Sequence, residues 1–411
     1  MKAAPNGKAI LYVGGFELPD KNAAAHRVVA NAKIFSELGY EVLLLGINRE
    51  GGGATIREDF DLELPGVRQW SVPYPQSNRQ WLKNMVMANG VKALVDSCGT
   101  NISTIVCYNY PAIAMLGVRK ICKTNGMAFV SDSTEWYNGK SSGLIKSIAK
   151  KLDTTLRMKI VNKTAAGLIV TSHYLDHYYS KHGMKTVNLP TLYDKQALLT
   201  GNANTHCKAD SVTRLVYAGN PFPPFIRSNT VELVKERLDL VIDYLSKCKT
   251  NKFLLEIIGL TKERYLEVYP GHRQVLDDMN SQILFLGRRK HKEVVEKIIS
   301  ADFTIFLRDT TRVTQAGFPS KFSESITCGT PVITNKMSNI DIYSLEGQGC
   351  FYVPIDSAPN AAKQLNELLS MPAAQREDLK RKCADLMTFD YRSFVGEVGR
   401  FFSDVEGDAR Q

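Results

Sequence analysis

The stretch Gly317-Phe318-Pro319-Ser320-Lys321-Phe322-Ser323-Glu324-Ser325-Ile326-Thr327-Cys328-Gly329-Thr330-Pro331-Val332-Ile333-Thr334 reads as a loop, a short helix with one acidic residue, a glycine turn and a buried strand. That order gathers a carboxylate and several free backbone N–H groups at one helix start, which suits a phosphate and a ribose. Just upstream, the apolar run Phe303-Thr-Ile-Phe-Leu307 ends on Arg308 and Asp309. An arginine directly after an apolar strand can grip phosphate with two parallel N–H bonds, or it can form a buried ion pair with Asp309 or another acid.

Farther out, the same alternation of apolar runs and helical patterns fills the chain. Residues 9–13, 41–45, 104–107, 127–130 and 167–170 read as strands, with a helix near 23–38 whose Val28, Ala32 and Phe35 share a face. Residues 198–211 lose periodicity and collect small polar residues, as a linker does. Strands then resume at 215–218, 253–258, 283–286, 303–307 and 331–334, with helices near 235–247, 291–299 and 320–328. Continuous β-branched runs between helices imply parallel sheets covered on both faces, so two doubly wound Rossmann-like domains are expected. A chain of 411 residues is long enough for two cores, since single cores stop growing near ~250–300 residues.

The net charge of +10 asks for an anionic partner: nucleic acid, a phosphorylated substrate or a lipid surface. No zinc-finger, RNP-like or helix-turn-helix pattern accompanies it, so nucleic acid is not expected. The eight cysteines stand singly and the seven histidines lack ligand spacing, so reduced thiols and no metal site are expected. No apolar run reaches membrane-spanning length and the N-terminus leads straight into a strand, which predicts a soluble cytoplasmic protein.

Three further segments stand where chemistry is expected. Gly14 and Gly15 end the first strand ahead of a helix, and serve either a ligand-facing loop or a simple tight turn; Arg27 in that helix is either a cleft residue or a salt-bridged one. Asp132 and Glu135 follow the strand at 127–130, at the edge where doubly wound proteins bind ligands. Asp132 reads equally as a helix cap, and Glu135 stands beside Trp136 and Tyr137, rings able to pack on a sugar. Residues 141–163 form a basic amphipathic helix with Lys150 and Lys151. Either its charged face is merely solvated, with Leu144, Ile148 and Leu152 in the core, or it meets anionic lipid.

The Glu324 segment resembles the donor site of retaining GT-B glycosyltransferases of family 4, or group 1, and a Pro-Ser-Lys variant found in bacterial surface-polysaccharide enzymes. The family motif has a second carboxylate eight residues before Glu324, where this chain has Ala316. The resemblance implies two domains facing across a cleft, residues 1–197 on the acceptor side and 208–388 on the donor side, with a C-terminal helix at 389–411 crossing back to the first. It implies transfer of a sugar from a nucleotide-sugar donor, itself a substrate and not a cofactor, to a glycan or lipid-linked glycan in polysaccharide biosynthesis, without a metal. It also implies peripheral docking on the inner face of the membrane.

By the same resemblance, Glu324 takes the ribose hydroxyls, Lys235 and Arg308 hold the diphosphate, and Lys321 adds charge toward it. Gly219 and Asn220 occupy the first phosphate turn, where Arg227 substitutes for the family's arginine. Arg288 lies where the base binds, Gly317 and Phe318 present backbone N–H groups to the donor sugar, and the Gly14-Gly15 loop lies opposite the donor. Glu135 and Asp132 handle the acceptor. A non-catalytic nucleotide-sugar or glycan-binding paralogue, and a sugar-nucleotide 2-epimerase of the same architecture, are the alternative readings.

Overall fold

A computed structural model of the chain describes residues 7–19, 23–49, 57–59, 66–86, 88–136, 144–200, 212–223, 226, 234–250 and 252–408. The chain divides into two compact units. The first comprises Met1–Tyr193, Gln315–Phe318 and Asp390–Gln411, and the second Asp194–Thr314 and Pro319–Phe389.

The first unit is built on β1 (Ala9–Gly14), β2 (Glu41–Asn48), β3 (Arg57–Asp59), β4 (Val67–Pro73), β5 (Ile102–Tyr108), β6 (Ala128–Ser133), β7 (Gly167–Val170) and β8 (Thr186–Asn188), in the order β3-β4-β2-β1-β5-β6-β7-β8. Only β3, on the edge, runs antiparallel to its neighbour. Every residue of β1 is buried, with β2 on one side and β5 on the other. Helices cover both faces of such a strand, which is why it reads as an unbroken apolar run. The helix Ala23–Glu37 lays Val28, Ala32 and Phe35 against the sheet, all fully buried.

The second unit carries β9 (Thr213–Ala218), β10 (Phe253–Ile258), β11 (Ile283–Gly287), β12 (Phe303–Ile305), β13 (Val332–Thr334) and β14 (Cys350–Tyr352), all parallel, in the order β11-β10-β9-β12-β13-β14. The winding reverses between β9 and β12. Loops leaving the C-terminal ends of two such strands diverge, and the crevice they leave is where open α/β sheets hold ligands.

The tail departs from a single helix over 389–402. Asp390 accepts a hydrogen bond from the Arg392 N–H and caps a short 3-10 turn, Tyr391–Phe394, and the helix Val395–Asp408 follows. Phe402 is fully buried there, edge-on to Phe35 at 5.2 Å and near Tyr40 at 5.9 Å. A Cβ on Gly167 would stand 2.7 Å from both Phe401 Cζ and Val405 Cγ2, so only glycine lets β7 approach this helix so closely. Glu406 accepts from Lys8 and from Ser103, tying the helix to the starts of β1 and β5. The expected return of the C-terminal helix to the first domain is thus realised within this unit.

The basic segment forms the helix Leu144–Lys159. Ile148 and Leu152, placed in the core if the charged face were merely solvated, are instead 51% and 65% exposed. The buried stripe is one step around, with Thr154, Arg157 and Met158 inward. The side chain of Leu144 lies outside the described residues, as do the linker residues 201–211.

Phe402→Ala should cost ~3–5 kcal/mol, the range for deleting a buried aromatic ring. Urea unfolding of the full chain followed by near-UV circular dichroism checks it; a loss below ~1 kcal/mol would mean the tail helix is not part of the first unit's core.

Candidate functional site

Glu236, a residue sequence reading passed over, organises the second unit's site. The segment before the helix Leu238–Leu245 is pinned by backbone bonds on both sides: Lys235 N–H donates to the Pro221 carbonyl at 3.3 Å, and Arg237 N–H to the Leu307 carbonyl at 2.8 Å. The Glu236 carboxylate between them is 3% exposed. Oε1 accepts from Arg308 Nη2 at 2.8 Å, and Oε2 accepts from the Tyr217 hydroxyl at 2.6 Å and from Lys321 Nζ. Lys321 also lies over the Tyr217 ring, 4.6 Å from its centroid. Arg308, Lys321 and Glu236 thus meet beside the end of β9, where the winding reverses.

Glycine chemistry and a buried amide shape the surroundings. Gly219 has φ +142°, and a Cβ there would collide with Lys321 Nζ; Gly259, at φ +97°, backs onto it with the Gly219 carbonyl oxygen 2.9 Å from where its own Cβ would be. Asn335, 3% exposed, accepts from the Arg308 N–H at 2.8 Å and donates to the Arg308 carbonyl at 3.0 Å, fixing that residue's backbone. A cavity of about 680 Å³ lies beyond, lined among others by Asn335, Lys336, Tyr352 and Asn360. Arg308 Nε is buried with no hydrogen-bond acceptor.

Burial alone would raise the Glu236 carboxyl, but the charges of Lys321 and Arg308 outweigh it and hold it at about 2, against an ordinary 4.5. Burial meanwhile lowers the Lys321 ammonium despite Glu236. The two partners therefore shift in ways that favour and disfavour their charges. Two cations and a phenol face one carboxylate, so the ionised carboxylate is the state the cluster enforces.

The helix Ser320–Thr327 carries Lys321 and Glu324 three residues apart, hence on one face. Glu324 is 12% exposed and its Oε1 lies 2.7 Å from Nε2 of His291, the first residue of the helix His291–Ser300. His291 follows Arg288-Arg289-Lys290 directly in sequence, and that cationic run is the only signal that could have singled it out.

Other expected residues sit elsewhere. Lys235 is exposed and precedes the helix it was expected to begin. Asn220 accepts from the Phe222 N–H at 2.9 Å, a local turn. Arg288 is exposed at the end of β11. Arg237 is no solvated cation, because it donates to both Asp239 and Asp309. That pairing takes Asp309 away from Arg308. Arg227 lies outside the described residues. Gly317 and Phe318 are half-buried and cluster with the first unit.

In the first unit, Asp132 is fully buried and gripped by Arg27 through Nε at 3.1 Å and Nη2 at 2.8 Å, with the Tyr12 hydroxyl donating to it as well. It caps no helix, and its carboxylate is taken up by these two side chains. Arg27 spends its remaining donor on the Leu189 and Pro190 carbonyls. Trp136 is 6% exposed and packs on Tyr174 and Tyr178, which removes it as a sugar platform; Tyr137 lies outside the described residues. Glu135 is half-buried. Gly14 is explained by packing, since a Cβ would stand 2.8 Å from Tyr108 Cβ, whereas Gly15 is exposed with open space around it. Ala316 does not face open space: it is fully buried with Trp136, Met158, Leu168 and Tyr179, and its carbonyl accepts from the Ser172 hydroxyl.

Residues 231–384 match the family of glycosyl transferases group 1. That match covers the second unit's cluster and the Glu324 helix. Among solved structures, the chain is similar to sucrose-phosphate synthase from Thermosynechococcus elongatus (13% identity, TM-score 0.68, covering 98% of this chain and 100% of that one). It is also similar to the catalytic domain of starch synthase IV from Arabidopsis thaliana bound to ADP and acarbose (9%, 0.66, 98% and 100%) and to Anabaena HepE in complex with UDP (14%, 0.61, 96% and 99%). The chain therefore has the two-domain GT-B fold, and residues 231–384 match the group 1 glycosyl transferase model. No curated protein matches it by sequence.

Among the described residues no group of three or more His, Cys, Asp or Glu side chains is placed to hold a metal ion. No described helix is long and apolar enough to cross a membrane.

Because Glu236 is depressed on folding, its contribution is fully present above about pH 4.5 and disappears as pH falls toward 2. The shift corresponds to ~3 kcal/mol. Denaturant unfolding at several pH values should show the stability gap between wild type and Glu236→Gln shrinking across that window. A gap that stays constant from pH 6 to pH 3 would show the carboxylate is not held ionised by its neighbours.

Proposed function

We propose that the chain is a retaining glycosyltransferase, moving a sugar from a nucleotide-sugar donor to a glycan or lipid-linked glycan acceptor in polysaccharide biosynthesis. The observation that carries this reading is the pair Arg308 and Lys321, drawn together on Glu236 at the winding reversal, with Glu324 on the same helix face as Lys321. Departure of a nucleoside diphosphate builds negative charge on its terminal phosphate. Fixed cations and a helix start placed there stabilise that charge in the transition state, the role a divalent ion plays elsewhere. In the reaction, the bond from the anomeric carbon to the phosphate oxygen breaks and a bond to the acceptor oxygen forms on the same face. The acceptor's proton passes to the departing phosphate oxygen, so no separate base is required.

A binding-only protein is the second reading, and Ala316 favours it. The carboxylate expected there is missing, and the position is closed by apolar packing. Purified protein incubated with a panel of UDP-, GDP-, ADP- and dTDP-sugars plus acceptor extract separates the two. Nucleotide release supports transfer, and stabilisation without release supports binding alone. In either case Glu324→Ala should weaken nucleoside diphosphate by roughly 10- to 150-fold while the protein stays folded, as expected for losing a charge-assisted bond of ~1.5–3 kcal/mol. Unchanged affinity with a lowered Tm would make Glu324 a structural partner of His291 and displace the donor site.

The lipid-linked acceptor is supported by the first unit's surface. Leu82, Ile113, Leu116, Ile148 and Leu152 are 58%, 49%, 40%, 51% and 65% exposed, on the helices Asn78–Val86, Ala112–Asn125 and Leu144–Lys159. The Ala112 N–H donates to Asp153 Oδ1 at 2.7 Å, tying the second of these helices to the third, and a Cβ on Gly117 would stand 3.2 Å from Ala88 Cβ, two residues past the first. Exposed Lys83, Lys120, Lys123, Lys150 and Lys151 lie on the same helices. Apolar side chains among lysines suit an anionic bilayer surface, each lysine adding on the order of 1 kcal/mol. Binding to phosphatidylglycerol vesicles should fall steeply with salt and be lost in Ile148→Asp/Leu152→Asp. Equal sedimentation of wild type and variant with vesicles would remove the membrane partner.

A further inference from the structure

The question left by the cation pair is why a carboxylate sits between them. An anion site is usually weakened by a fixed negative charge, and Glu236 neutralises one of two cations. Its geometry argues for another role. The carboxylate is 3% exposed, whereas the side chains it holds, Arg308 and Lys321, are 12% and 19% exposed. It therefore grips them from the buried side. Only one of Arg308's amino groups is spent on it, and Arg308 Nε remains a buried donor without an acceptor.

Without Glu236, the two cations would repel each other, and a lysine with four methylenes would be free to leave for solvent. The Tyr217 hydroxyl and the backbone bonds of Lys235 and Arg237 fix the carboxylate, and Asn335 fixes Arg308 from the other end. Gly219 removes the Cβ that would bar Lys321 from this place. The charge sum of Arg308, Lys321 and Glu236 is +1, enough to attract a diphosphate and too small to scatter the cations.

We infer that Glu236 is a positioning residue that holds Arg308 and Lys321 as a preformed clamp for the diphosphate of the donor. The inference rests on the donor-site reading above. Glu236 touches no substrate in this account. Its effect passes through the orientation of two cations, paid in advance so that neither has to be immobilised during binding or bond cleavage.

The test uses the full chain and inorganic pyrophosphate, a base-independent probe, titrated by calorimetry alongside UDP and ADP. Wild type should bind, and Arg308→Gln and Lys321→Met should each weaken pyrophosphate by 10-fold or more. Glu236→Gln should weaken it about 10-fold although it removes a negative charge, and Glu236→Asp, which keeps the charge but retracts it by one methylene, should recover part of that loss. Where turnover is measured with a donor, the Glu236 variants should lower kcat more than they raise KM. If Glu236→Gln does not fold, Glu236→Asp and Tyr217→Phe carry the comparison, each expected to weaken pyrophosphate by a few-fold.

Glu236 variants that bind like wild type while only Tm falls would overturn the positioning role and leave the donor site standing. Tighter binding by Glu236→Gln would overturn it too, making the carboxylate a competitor of the ligand. A wild-type protein that binds neither pyrophosphate nor any nucleoside diphosphate would remove the donor-site reading and this inference together.

Discussion

Placing one carboxylate in the interior of the second unit requires a solution to a desolvation problem, and the arrangement of the loops around the winding reversal follows from the solution. A lone buried Glu236 would be neutralised or would unfold the segment around it. The chain supplies a guanidinium from the loop after β12, an ammonium from the helix Ser320–Thr327 and a phenol from β9. Three segments distant in sequence are thereby tied to one point. The loop after β9, the start of the Glu324 helix and the end of β12 hold their relative places because each contributes to, or adjoins, the same carboxylate.

The first unit contains a buried acid–arginine pair too, and the two differ in how far they reach the surface. Arg27 directs its donors to Asp132, the Leu189 and Pro190 carbonyls and Thr171, and Asp132 is fully enclosed. Tyr12 and Asn31 complete that network, and it lies wholly in the interior. It joins β1, β6 and the turn after β8 into one rigid layer, and adding any ligand would break a bond already made. The Arg308 network is open, with one donor unspent and part of each cation at the surface.

Much of this was legible from sequence because it depends on local pattern. Continuous apolar runs gave the central strands, and the Gly-Thr-Pro turn before Val332 placed β13 and the helix ahead of it. The edge strands β3 and β8 were not legible: each is three residues long and, unlike the equally short β12 and β13, lies in no continuous apolar run. Arg308 announced itself by following an apolar strand, but its partner did not. Glu236 stands in Lys235-Glu236-Arg237, which reads as a solvated charge run, and only the backbone bonds to Pro221 and Leu307 turn its side chain inward. Asp132 misled for the converse reason. The end of a parallel strand is where ligands bind, yet Arg27 is 105 residues away in sequence and no local signal says that it fills the place. For Leu144–Lys159 the sequence left core packing and lipid contact both open, because periodicity reports that a stripe exists and not which way it faces.

The helix Val395–Asp408 closes over a sheet whose strands all precede residue 189. During synthesis, those strands emerge about 200 residues before the segment that covers Phe35 and Gly167. At ribosomal speeds of ~5–20 residues per second, the apolar patch is left uncovered for roughly 10–40 s. The unit made first is completed last. Throughout that interval the second unit, contiguous apart from the short Gln315–Phe318 excursion, can mature ahead of it. A nascent chain of this protein therefore carries an open sheet face while the residues between β8 and Val395 are made, and synthesis of the covering helix, not emergence of the strands, is what sets the first unit's maturation.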